Sequence, residues 1–179
     1  MSITSLLTKK TMKRGFSLIE NVLYVVLLSL VMSIIVGMLI SLSGVYKNIK
    51  LTRELESSGS IVMETILREV RNASNVVVTG SNFGANPGIL IIAGVDESAI
   101  PYEITFDLLV ASSTVRMSKN GSTPVALSSR SATTSLLLFT RLINANSEGV
   151  RVELQMSGVS GSVYKNAKFY GFAVIRGSY

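Results

Sequence analysis

The order of apolar and polar positions divides the chain into three stretches of different period. From Asn21 to Tyr46 there is no Asp, Glu, Lys or Arg, and Val, Leu, Ile and Met dominate. Coiled as an α-helix at about 1.5 Å per residue, those 26 residues reach about 39 Å, enough to cross a bilayer's hydrocarbon core with tilt. Beyond Tyr46 charges return at Lys47, Lys50, Arg53, Glu54 and Glu56. Val45, Ile49, Leu55, Val62, Ile66 and Val70 meanwhile recur at spacings that fit one helical face. The pattern predicts one helix from Ser17 to Asn72, its first half in membrane and its second half amphipathic. Lys50 and Glu54 form an i,i+4 pair, and Lys47 and Leu51 fall on the wetter side. Ser57-Ser58-Gly59-Ser60 is the stretch at which the rod is expected to bend or break.

From Val76 the period shortens. Val76–Val78, Ile89–Ala93, Tyr102–Phe106, Val115–Ser118, Val125–Leu127, Ser135–Phe139, Val150–Met156 and Phe169–Ile175 are short β-rich runs bounded by Gly, Asn and Pro. Asn120-Gly121 suits a tight hairpin turn, because both residues accept positive φ. Val150 to Met156 alternates strictly, which turns Arg151, Glu153 and Gln155 outward and the apolar set inward. No second helical pattern separates the runs. The expected fold is therefore α+β: a long N-terminal helix whose amphipathic half packs on a mostly antiparallel sheet.

One residue breaks the apolar stretch near its start. Glu20 follows Lys13-Arg14-Gly15-Phe16-Ser17-Leu18-Ile19 directly, and a carboxylate held there must find a partner or stay neutral. The segment Lys13 to Leu39 resembles the class III signal of type IV pilins and of the pseudopilins of type II secretion. The likeness lies in a short basic leader, Gly15 before the cut, Phe16 after it, Glu20 five residues into the processed chain, and the long apolar run. The stretch Ile66 to Ser74 also resembles the helix end of larger minor pilins and J-type pseudopilins. This resemblance implies a pilin-like fold and four parts: a cytoplasmic leader over 1–15, a transmembrane and filament-core helix over 16–46, its amphipathic continuation over 47–75, and a β-rich head over 76–179. It further implies prepilin cleavage between Gly15 and Phe16, N-methylation at Phe16, and subunit assembly through Glu20. The implied partners are prepilin peptidase, other pilin or pseudopilin subunits and an inner-membrane assembly platform. The implied location is the cytoplasmic membrane, with the head outside, and then a filament. The family often weakens this helix with a proline; here Gly37 is the comparable point.

Composition narrows the alternatives. The net charge is +6, but Lys9, Lys10, Lys13 and Arg14 precede Gly15. Without the first fifteen residues thirteen basic side chains face eleven acidic ones, net +2, so the pI near 9.7 mostly reports the leader. That balance is weak support for a nucleic-acid partner. With no Cys and no His, a disulfide framework is excluded, the usual zinc, copper and haem ligands are missing, and Ser-His-Asp or Cys-His catalysis is impossible within the chain. No enzymatic activity and no cofactor are expected.

The basic residues 1–14 hold the N-terminus inside by the positive-inside rule. The apolar run exceeds the ~7–15 residues of an ordinary signal-peptide core, and the Gly-Phe junction precedes it. Ser41-Leu42-Ser43 before Gly44 nonetheless has small residues spaced for a conventional signal peptidase, which would free a soluble domain. A further alternative is a bitopic protein that keeps Met1 and presents a β-rich ligand-binding or sensing domain. Ser29, Ser33, Gly37 and Ser41 line one helix face, where small residues allow helices to approach in lipid or are merely tolerated.

Three weaker motifs remain. Asp96-Glu97 with Glu103 and Asp107 offers carboxylates to a hard cation but lacks EF-hand spacing, and solvated loop acids are the commoner explanation. Tyr164, Phe169, Tyr170, Phe172 and Tyr179, with Lys165, Lys168 and Arg176, have the composition of a surface for single-stranded DNA. Core and strand-face packing is the preferred account of them. Asn72-Ala73-Ser74 and Asn120-Gly121-Ser122 match the short glycosylation pattern.

Overall fold

The computed structural model describes residues 17–96, 98–129, 132–144, 147–161 and 163–176. The chain forms two compact units, one reaching to Gly44 and the other running from Val45 onward. Helix α1 occupies Leu18–Asn72, one residue short of the expected start and ending at the expected residue.

In the first unit every described residue from Ser17 to Gly44 is exposed. α1 is long and apolar enough here to cross a membrane. Gly37 does not interrupt it, and the Ser29 hydroxyl donates to the Val26 carbonyl at 2.8 Å, bonding within its own helix.

In the second unit α1 buries Leu51, Leu55, Ser58, Gly59, Val62, Met63, Ile66 and Val70. Leu55, Val62, Ile66 and Val70 lie on the expected face. Three other placements are corrected. Leu51, expected on the wetter side, is 3% exposed, whereas Val45 and Ile49 are 52% and 50% exposed. The buried stripe is set by the sheets it meets, and that stripe begins at Leu51. The Ser57–Ser60 stretch also does not break the helix: it is helical throughout and lies at a close approach. A Cβ at Gly59 would overlap the ring of Phe169, so the missing side chain admits that ring. The buried Ser58 hydroxyl accepts a hydrogen bond from the Ser129 N–H at 3.0 Å. Small residues read as weakness are where the helix comes nearest to its neighbours.

Past Asn72 the Ala73 N–H bonds back to the Glu69 carbonyl at 3.0 Å, and the Ser74 N–H joins the Ala93 carbonyl at 2.8 Å, carrying the chain into its first sheet. That sheet is a meander of β1 (Asn75–Val76), β2 (Leu90–Val95), β3 (Pro101–Leu109), β4 (Thr114–Lys119) and β5 (Val125–Ala126). A second sheet contains β6 (Thr133–Asn144), β7 (Ser147–Ser160) and β8 (Val163–Val174) in sequence order. All pairings are antiparallel. The α+β expectation therefore holds in its coarse form, with two sheets in place of one.

Asn120 and Gly121 do adopt positive φ, 51° and 68°, and the Ser122 N–H closes the turn on the Lys119 carbonyl at 3.0 Å. Val150, Val152, Leu154 and Met156 are all buried, and Arg151, Glu153 and Gln155 face outward as the alternation predicts. The core closes where these side chains and those of α1 meet Leu90, Ile92, Phe106, Val115, Leu137 and Phe139. Burial of each large apolar side chain contributes about 1.5–3 kcal/mol.

Candidate functional site

Two regions carry chemistry that the core does not explain. The first is the start of α1. Gly15 and Phe16 lie outside the described residues. Glu20 lies in the first turn of α1 and is exposed. Its N–H donates to the Ser17 carbonyl at 3.0 Å, and the Asn21 N–H shares that carbonyl at 3.2 Å, so Ser17 opens the helix. The first turn is the positive end of the helix dipole, where a carboxylate is favoured by about 0.3–1 kcal/mol. Glu20 is thus an acid at the polar end of a run in which the next 26 residues carry no charge.

The second region is β8. Its residues alternate between a face toward α1 and an outward face. Phe169 belongs to the first, its ring lying against Gly59, and Gly171 beside it brings the backbone within reach of Met63 and Leu67 of α1. Tyr164, Tyr170 and Phe172 belong to the second and are 63%, 67% and 49% exposed. Core packing accounts for Phe169 and strand-face packing for Phe172, as the preferred reading has it, while Tyr164 and Tyr170 stand more than 60% exposed. Phe172 has a structural task as well, since its ring lies across Gly149 where a Cβ would stand 2.8 Å from Cε2. Lys168 shares the outward face, opposite Gln155, whereas Lys165 turns to the α1 side and lines a groove with Thr52 and Glu56. Arg176 lines a second groove with Arg71, Phe172 and Val174. Tyr179 lies outside the described residues. The period-two spacing of Tyr164, Asn166, Lys168, Tyr170 and Phe172 carried this separation in the sequence.

Two of the acids considered for a cation, Asp96 and Asp107, have carboxylates engaged otherwise. The Asp96 carboxylate accepts the N–H groups of Ser98 and Ile100, each at 2.9 Å, and so closes its own loop. Asp107 pairs with Arg116 across β3 and β4. The Glu103 N–H donates to Asn120 Oδ1 at 2.7 Å, which ties that turn to β3. Glu97 is outside the described residues. Among the described residues no three acids gather as a metal site.

Comparison with known proteins adds no name to this geometry: no family model, no curated protein and no solved structure matches the chain.

Proposed function

We propose that this chain is a structural subunit, a minor pilin or pseudopilin, of a type IV pilus-like or type II secretion filament. The observation that carries the proposal is α1 itself. An uncovered apolar segment follows one acid in the first turn, and the same helix supplies the buried face of the second unit. In this reading prepilin peptidase cuts between Gly15 and Phe16, and the new Phe16 amine is N-methylated. The free amine at Phe16 and the carboxylate of Glu20 then lie at the membrane edge. Glu20 of one subunit meets the Phe16 amine of its neighbour, because an unpaired charge drawn into apolar surroundings is costly. That pairing sets the register in which helices gather in the filament core while the β-rich units coat the outside.

The test is the mature N-terminus followed by one substitution. Intact-mass measurement on protein from its native membrane is expected to give Phe16, one methyl group heavier, as the first residue. Met1 would point instead to a bitopic protein with an outer sensing or binding domain, and Gly44 to an exported soluble domain; either result removes the proposal. Glu20→Ala is expected to leave cleavage intact and to impair incorporation into filaments. Normal incorporation of that variant would refute the pairing.

A further inference from the structure

The four sheet edges are treated unequally. β1 and β5 are two residues each, too short to template another strand. The free side of β6 is occupied from Thr134 to Phe139: the Thr134 N–H bonds to the Ser113 carbonyl at 2.8 Å, and the 82–88 loop supplies the rest. The Gly84 and Gly88 N–H groups reach the Phe139 and Leu137 carbonyls at 2.9 and 2.8 Å, and the Asn86 side chain bridges Ser135 and Leu137. β8 differs on every count. It is twelve residues long, pairs with β7 without a register shift, contains no proline, and has a far side that receives no hydrogen bond among the described residues.

We propose that the far side of β8 is an acceptor edge for an extended, acidic segment of a partner protein, which adds as a fourth strand to the β6–β7–β8 sheet. The mode is backbone pairing with alternate side chains read by the two faces. Charge selects the occupant. From Val163 to Tyr179 there is no acid, while Lys165, Lys168 and Arg176 are present. Glu153, the acid on the outward face, is already held by Arg151 at 2.6 Å, and Glu56 lies by the groove of Lys165. Lys168 on the outward face and the Arg71–Arg176 groove at the end of the strand are left to a ligand's carboxylates. Tyr164 and Tyr170 flank Lys168 on that face and offer apolar area between the charges. A second copy paired through its own β8 is the wrong occupant: it brings Lys165, Lys168 and Arg176 to the seam and no acid to meet those of the first. This assignment stands on the second unit alone and is independent of how the N-terminus is processed.

The full chain in detergent micelles is titrated with two fluorescent peptides of the length of β8, one alternating valine with glutamate and the other valine with lysine. The expected result is binding of the glutamate peptide by at least about fivefold over the lysine peptide. Amide exchange is expected to slow within Val163–Val174 and nowhere else in the second unit. Lys168→Glu, a change at an exposed position, is expected to retain the exchange pattern of the free protein and to reverse the peptide preference. Equal affinity for both peptides, absence of binding, protection at a site other than β8, or an unaltered preference in Lys168→Glu would each overturn the assignment.

Discussion

At Gly59 two opposed effects meet in one residue. A glycine inside a helix costs about 1 kcal/mol relative to alanine, so Gly59→Ala should stabilise an isolated helix. Here the added Cβ would fall on three atoms of the Phe169 ring, and overpacking of this kind costs about 1–3 kcal/mol. The steric effect wins, and Gly59→Ala is expected to lower unfolding stability by about 1 kcal/mol. Chemical denaturation in detergent checks this, and Phe169→Leu in the same chain is expected to recover part of the loss. Tyr102 makes a pH prediction. Burial, then the carboxylates of Glu69 and Asp96, raise its phenol above the ordinary value near 10. The unfolded chain therefore loses this proton first as pH rises. The phenol's contribution is fully present below about pH 10 and declines as pH climbs from there toward the folded value. Tyr102→Phe is expected to flatten that alkaline decline in a pH series of unfolding midpoints.

At the scale of elements, the helix tells most about what sequence encodes. Its end at Asn72 was legible because apolar periodicity stops there and Asn75 follows three positions on. Its phase near residue 50 was not. Val45 and Ile49 belong to the uncovered side, and their apolar character serves a different environment from that of Leu51 and Leu55. Hydrophobicity alone does not distinguish a side chain facing a protein core from one facing elsewhere. Leu51→Ala is accordingly expected to cost about 2–5 kcal/mol and Ile49→Ala less than about 0.5 kcal/mol, measured as unfolding free energies of the same preparation. Strand β7 was read correctly because it alternates. In β6 the run Ser135–Phe139 is nearly continuous in apolar residues, and a bulge between Thr134 and Leu136 shifts its register. Leu137 and Phe139 face the core while Leu136 and Leu138 are half-buried on the other side, a division that such a run conceals.

At the scale of the molecule, the division of the strands between two sheets was beyond the sequence, since every hairpin connection looks alike in one dimension. The placing of Glu20 in the opening turn was legible, because the predicted start at Ser17 lies three residues before it and the Ser17 carbonyl does accept the Glu20 N–H at 3.0 Å. The task of the 82–88 loop, by contrast, was hidden. Asn86 within it donates from Nδ2 to the Ser135 carbonyl at 3.3 Å and accepts the Leu137 N–H on Oδ1 at 3.0 Å. A primary amide has the same donor and acceptor as a peptide link, so one side chain stands in for a missing length of backbone. Asn86→Leu would withdraw that substitute and leave the Ser135 carbonyl and the Leu137 N–H on the margin of β6 open to another chain's backbone. Sedimentation across a dilution series is expected to show the variant gathering into larger species as concentration rises, while the parent chain keeps one size. One carboxamide would then hold apart the β-rich units of neighbouring molecules at this margin.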